Sequence, residues 1–315
     1  MANFWKKLGK PFLVLAPMDD VTDYVFREII SRLAKPDVMF TEFTSADGLM
    51  FEKNEHGFQK LKFSNRQRPV VAQIWGGNPE TISKAGSIVE KMGFDGIDLN
   101  MGCPDRNVMK KHGGAGIIGD YELAATVISA AKKGAPSLPL SVKTRLGNEK
   151  TDMADWISFL LKQNLDALTV YARKPEQLSK GPTFWDDIGR IVKMRNELAP
   201  QTILIGNGDI KSREEAMEKY KKYGVDGLMI GRGIFQNPWV FEKIPKKHSR
   251  DEYLKVLTDH MDLFVNTWGG KKNFAILKKF FKVYVKDFND ATTVRERLMK
   301  ANDRQEVEKI LEKIS

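Results

Sequence analysis

The only cysteine among 315 residues, Cys103, stands near the end of the stretch Asp98-Leu99-Asn100-Met101-Gly102-Cys103-Pro104. Residues 96–101 form an apolar run that reads as a short buried strand, after which Gly102 and Pro104 force a turn. Such a turn presents the Cys103 thiol at the strand's C-terminal edge, where parallel α/β folds keep their active sites. A thiol there is available for chemistry; the plain alternative is a buried cysteine that behaves as a small hydrophobe. Lys143 lies inside the run 140–145, where a solvated lysine is out of place. A lysine pointing into a barrel mouth faces a negative charge or an electron-rich ring, the alternative being an outward-facing lysine at a strand end. Two glycine-rich turns follow, Gly206-Asn207-Gly208-Asp209 and Gly231-Arg232-Gly233. Glycine lets backbone N–H groups converge on an anion, and Arg232 adds charge.

The elements that must position these residues are legible as eight short apolar runs, at 12–15, 38–42, 70–74, 96–100, 140–144, 167–171, 203–206 and 227–230. Each is continuous and bounded by turn residues, as parallel strands buried on both faces are. Between them lie amphipathic segments that suit helices, at 24–33 behind Thr22-Asp23, 80–92, 121–133, 153–163, 187–198, and 213–223 behind a Ser212 cap. Residues 45–66 are less regular. Eight strands alternating with helices fit a (β/α)8 TIM barrel, for which about 250 residues is typical. A doubly wound open sheet is the alternative, disfavoured by the absence of Gly-x-Gly-x-x-Gly after the first strand. In the barrel reading the strand ends carry Ala16-Pro17-Met18, Glu42, Gln73, Asn100 with Cys103, Lys143 with Arg145, Tyr171 with Arg173, Asn207-Gly208-Asp209 and Gly231-Arg232-Gly233. The two glycine turns then follow the last two strands, which is the usual phosphate site of such barrels.

After Pro245 the strand signal stops and the chain reads as helices at 251–267, 273–285, 294–300 and 304–314. The expected division is therefore a barrel domain over 1–244 and a small all-helical domain over 245–315. The chain carries 51 Lys+Arg against 41 Asp+Glu, a net charge of +10. From Lys243 onward stand 17 Lys and Arg against 11 Asp and Glu, so the excess is concentrated outside the barrel. Such a tail suits a polyanionic partner, or a solvated cap on the barrel. One cysteine excludes an intramolecular disulfide and leaves no cysteine cluster for zinc or an iron–sulfur centre, and no metal is expected. The apolar run 12–18 is too short to span a membrane and lacks a secretory cleavage pattern, so no membrane association and a cytoplasmic location are expected.

With these residues assembled, the sequence resembles the dihydrouridine synthase family of flavin-dependent RNA-modifying enzymes. Asn100-Met101-Gly102-Cys103-Pro104 is similar to that family's signature, as are Ala16-Pro17-Met18, Ser141-Val142-Lys143-Thr144-Arg145, Asn207-Gly208-Asp209-Ile210, and Met229-Ile230-Gly231-Arg232-Gly233 with Asn237-Pro238-Trp239. The resemblance implies an FMN-binding barrel followed by a helical RNA-binding domain, reducing uridines of RNA, most readily tRNA, to 5,6-dihydrouridine with NADPH as reductant and with no obligate protein partner. It implies that Ala16, Pro17 and Met18 meet the flavin, that Gln73 and Lys143 hydrogen-bond its pyrimidine edge, and that Asn207, Gly208, Asp209, Gly231 and Arg232 hold its phosphate. Cys103 would be the general acid, with Asn100, Arg145 and Arg173 holding the substrate. The family usually has His-Gly-Arg after the sixth strand, where this chain has Tyr171-Ala172-Arg173. A phenol can donate a hydrogen bond to flavin or phosphate but carries no positive charge, so Tyr171 is counted with the cofactor and the histidine's role is open. His56, His112, His248 and His260 stand outside these motifs and are read as structural or surface residues. Two rivals remain: an FMN enzyme of the dihydroorotate dehydrogenase kind acting on a free pyrimidine, and a non-catalytic RNA-binding protein on the same barrel.

Overall fold

The computed structural model describes residues 3–51 and 55–314. Nine parallel strands form one sheet: β1 (Phe12–Leu15), β2 (Val38–Phe40), β3 (Thr44–Ser45), β4 (Val70–Trp75), β5 (Gly96–Met101), β6 (Leu140–Arg145), β7 (Ala167–Tyr171), β8 (Ile203–Asn207) and β9 (Gly227–Ile230). β1 pairs with both β2 and β9, and β2 also pairs with β4, so eight strands close into a barrel with β3 as a two-residue addition beside β4. This is a TIM barrel. The second strand stops at Phe40 rather than residue 42, which leaves Glu42 in the loop beyond it, and β3 was not expected. A two-residue strand carries no periodicity for a sequence to display.

Alternation along the strands divides the apolar residues into two cores. Inside the barrel lie Trp5, Phe12, Val14, Phe40, Val71, Ala167, Ile203, Ile205 and Met229. Trp5, on the short 3-10 turn Phe4–Lys7, packs 6.0 Å from Phe12 and 6.3 Å from Phe40, and so seals the end of the barrel where the strands begin. Gly227 is required there: a Cβ on it would stand 2.3 Å from the Phe12 ring. The opposite end is left for polar side chains. The outer faces of the strands pack on helices at Tyr24–Leu33, Pro79–Lys91, Tyr121–Gly134, Met153–Leu161, Trp185–Leu198 and Arg213–Tyr223. Asp23 caps the first, its carboxylate accepting the Phe26 N–H at 2.9 Å, and Ser212 caps the last.

From Arg250 onward the described residues are helical. Ser249 and Glu252 form a capping box that starts the helix Arg250–Trp268. A 3-10 turn Phe274–Leu277 runs into the helix Lys278–Tyr284, and the helices Ala291–Lys300 and Arg304–Leu311 follow. The tail shares the outer core of the barrel. Phe26 lies 4.9 Å from Phe280 and 5.9 Å from His260, whose ring bonds the Tyr284 hydroxyl at 2.9 Å. Burial drives the His260 pKa down to about 4, so at neutral pH it is an uncharged core residue.

Candidate active site

The strand ends open on a cavity of about 220 Å3 lined by residues from seven of the barrel strands or the loops after them. Cys103 reaches it from the turn after β5. That turn is held from below: the Asn100 side-chain oxygen accepts the N–H groups of Gly102 at 3.0 Å and Cys103 at 2.9 Å, while the Cys103 carbonyl accepts the Ala115 N–H at 2.8 Å. Burial pushes the thiol pKa up, against a backbone hydrogen bond at Asp105 that lowers it, so Cys103 keeps its proton at neutral pH.

Lys143 enters from β6, whose register sets it beside Asn100 on β5 and Thr169 on β7. Its ammonium makes no hydrogen bond or ion pair with any described residue and lies 5.6 Å from the Tyr171 ring centroid. Burial lowers its pKa to about 8, with Arg145 adding to the shift and Asp98 opposing it. Two residues on, Arg145 donates to the carbonyls of Gly102 at 2.6 Å, Leu178 at 2.7 Å and Lys174 at 3.1 Å. These bonds tie the cysteine turn to the loop after β7. Only its Nη2 amine is left without a partner among the described residues.

All the residues given a catalytic, cofactor or substrate role from the sequence line this cavity except Gln73, Gly208 and Arg173. Gln73 is fully buried beneath it, its amide engaged with Asp98 at 2.8 Å and Asn100 at 2.9 Å. Gly208 shapes the turn after β8 with a φ of +151°. Arg173 departs furthest from expectation. It is 1% exposed, and its guanidinium forks onto both Asp209 oxygens while donating to the Gly181 carbonyl and, at 2.5 Å, to the Tyr171 hydroxyl. Those donors are spent on the protein's own acceptors, so Arg173 does not present a free fork to a substrate.

Asp209 is engaged as well. Its carboxylate sits between Arg173 and Arg232, and Arg173 holds its pKa below the usual carboxylate range. Its negative charge is thus matched by two guanidinium groups of the protein's own. The Tyr171 hydroxyl, expected toward flavin or phosphate, accepts from Arg173, which leaves its O–H proton to donate. The Tyr171 ring lies 4.7 Å from the Arg145 guanidinium and 5.4 Å from that of Arg173, so with Lys143 three cations surround one aromatic face or edge. Asn207 stays at the mouth, its amide donating to the Met229 carbonyl at 2.8 Å.

Phe43, Pro104, Ser179 and Ile210 also line the cavity. Phe43 and Ser179 come from loops and carry no sequence signal. Asp98 does carry one: a carboxylate in an apolar strand, two residues before Asn100 and therefore on the same face. It is fully buried, and burial raises its pKa to about 6 against the hydrogen bonds from Ser141 and Gln73. Glu42 does not line the cavity; it accepts the Asp20 N–H at 2.8 Å, and burial lifts its pKa to about 7.

The barrel carries its polar cavity at the C-terminal strand ends, where TIM-barrel enzymes keep their active sites. Among solved structures the fold is similar to morphinone reductase in complex with tetrahydroNAD, with a TM-score of 0.52 at 14% identity over 74% of this chain and 86% of that one. It is equally similar to the old yellow enzyme homologue from Zymomonas mobilis, with a TM-score of 0.52 at 14% identity over 75% and 89%. These likenesses concern the fold. In sequence, residues 14–315 match the family model described as dihydrouridine synthase. The chain is 43% identical over 313 residues, 98% of its length and 95% of the relative's, to a probable tRNA-dihydrouridine synthase of Staphylococcus aureus (strain COL). It is 42% identical over 98% and 96% to probable tRNA-dihydrouridine synthase 2 of Bacillus subtilis (strain 168). The chain belongs to the dihydrouridine synthase family, and with that family it is a flavin-dependent oxidoreductase.

The residues present fit a flavin. An ammonium that makes no hydrogen bond or ion pair with a described residue enters the cavity at Lys143, ready for an electron-rich ring edge. Gly231 leaves its floor bare: a Cβ there would stand 3.6 Å from the Ala16 Cβ and the Met18 sulfur, filling the surface on which a flat ring could lie.

Proposed function

We propose that this chain reduces the C5–C6 double bond of specific uridines in tRNA to 5,6-dihydrouridine, with FMN as the flavin and NADPH as reductant. The observation that carries the proposal is the meeting, in one flavin-compatible cavity, of a thiol kept protonated by burial and an unpartnered ammonium. A bound FMN would supply the hydride for C6 of the uracil, with NADPH as the source of its electrons. The rest falls to the chain. Cys103 gives its proton to C5, the free Nη2 amine of Arg145 favours the enolate-like charge that builds on the uracil, and Lys143 holds the pyrimidine edge of the flavin. Ala16, Pro17, Met18 and Gly231 supply the flavin floor, while Arg232 and the main chain of residues 207–209 supply anion contacts. Arg173 acts at one remove, by holding Asp209 and Tyr171. A uridine inside a stacked loop must be extruded to reach the cavity, which ties the chemistry to RNA docking.

In this reading residues 1–244 carry the chemistry and 245–315 dock the RNA in the cytoplasm. A groove of about 660 Å3 on the tail is lined by Lys278, Lys279, Lys282, Arg295 and Lys300, with Glu296 as the one acid. A free pyrimidine has no use for such a groove, which disfavours the dihydroorotate-type rival; the decayed-barrel rival has no use for an intact Cys103 and Lys143. The test is to identify the flavin released on denaturation and to map dihydrouridine in tRNA from a strain lacking the gene, with and without the gene restored. FAD alone in the purified protein, or an unchanged dihydrouridine map, would sink the proposal.

A further inference from the structure

Beneath the cavity, side chains from three adjacent strands form a continuous file of hydrogen bonds. Ser141 Oγ donates to Asp98 Oδ1 at 2.5 Å, and Gln73 Nε2 donates to Asp98 Oδ2 at 2.8 Å. Asn100 Nδ2 then donates to Gln73 Oε1 at 2.9 Å, and Asn100 Oδ1 accepts the N–H groups of Gly102 and Cys103. Strand register makes the file possible, because Gln73 and Ser141 lie directly opposite Asp98 on the two neighbouring strands, and Asn100 repeats the inward face of Asp98.

The file has a direction. At one end an ionised carboxylate only accepts; at the other, two main-chain N–H groups only donate. Each amide between them satisfies both of its neighbours in one orientation alone. We propose that Asp98 is the positioning residue of the cysteine turn: its carboxylate orients Gln73, Gln73 orients Asn100, and Asn100 holds the N–H groups that fix where the Cys103 thiol stands. Gln73, Asp98 and Ser141 are fully buried, which removes water as a substitute partner there, so a missing link leaves the Gln73 amide unpaired rather than rehydrated. The catalytic meaning of this file rests on Cys103 being the proton donor, but its geometry does not.

Because Cys103 is the only thiol, alkylation of the full chain by iodoacetamide, without RNA, reports on that turn alone. The rate is measured against pH for the wild type, Asp98→Asn and Asp98→Leu. Asp98→Asn keeps an acceptor oxygen for Gln73, and its alkylation at pH 8 is expected within about twofold of wild type. Asp98→Leu removes the acceptor, and the loosened turn should expose the thiol: about fivefold faster alkylation or more, with the midpoint of the pH profile moved down. Should Asp98→Leu fail to fold by circular dichroism, Gln73→Met breaks the same file one link on and is held to the same outcome. A wild-type rate and midpoint in the broken file would overturn the proposal, as would an Asp98→Asn protein as reactive as Asp98→Leu. Loss of RNA reduction in Cys103→Ala bears on the function alone, and wild-type alkylation in Asp98→Leu bears on the file alone.

Discussion

Burial acts on Cys103 and Lys143 in opposite directions on the pKa scale and to the same end, favouring the uncharged form of each. For Cys103 this suits an acid: RNA-dependent turnover should persist through the ordinary thiol range near 8.5 and fall only above it, whereas a thiolate role would give a rising limb there. For Lys143 it is a cost to the fold. Between about 8, where it titrates in the folded chain, and the ordinary value of 10.5, the unfolded chain binds more protons, so stability should rise with pH across that window. Lys143→Met should therefore stabilise the flavin-free protein at pH 7 by about 2 kcal/mol in denaturant melts while weakening flavin binding. A less stable variant with unchanged flavin affinity would contradict both halves. Tyr171→Phe should cost about 1 kcal/mol of stability, through the lost hydroxyl acceptor of Arg173, and leave flavin affinity nearly unchanged. Cys103 and Lys143 were legible in the sequence because each is chemically out of place in an apolar strand or at its edge. The pairing of Arg173 with Asp209 was not, since 36 residues separate them and it is the parallel register of β7 and β8, with Tyr171 beside Asn207, that brings them together.

The strands were legible for the reason that buried parallel strands are: short unbroken apolar runs with turn residues on either side. Helix boundaries came within a few residues, best where a cap residue announced them, as at Asp23 and Ser212. The run 273–285 was read as one helix, but its first turn is 3-10, because apolar spacing of three and four residues serves either geometry. Side-chain filling of the barrel was beyond the sequence: nothing in residue 227 shows that the Phe12 ring occupies the space of its Cβ. Gly227→Ala should cost about 1 to 3 kcal/mol through overpacking, read as a lower denaturant midpoint, with no change in flavin identity. An unchanged midpoint would mean that the barrel end yields to accommodate the methyl group.

Across the whole molecule two sets of the tail's cations stand apart in a way that the sequence could not show. Lys272 pairs with Asp23 at 3.2 Å with both side chains 11% exposed, Lys271 reaches Glu55, and Lys279 donates to the Asp20 carbonyl, so these fasten tail to barrel. Lys282, Arg297 and Lys300 have no hydrogen bond or ion pair with a described residue. Replacing each of the latter by Gln should flatten the dependence of log tRNA affinity on log salt by about 0.7 to 0.9 for every phosphate left without its cation. Lys272→Ala should instead lower thermal stability and leave that slope alone; the reverse pattern would place RNA on the seam rather than in the groove. Proton donation from Cys103 to a uridine of RNA is measured by reducing the flavin of wild type and Cys103→Ala with NADPH, mixing each with unmodified tRNA in the absence of oxygen, and following flavin reoxidation together with dihydrouridine formed. Both proteins should reduce at similar rates, and reoxidation by tRNA should be slower in Cys103→Ala by about 10² to 10⁴. Reoxidation at the wild-type rate, with dihydrouridine formed, would show that another group donates the proton.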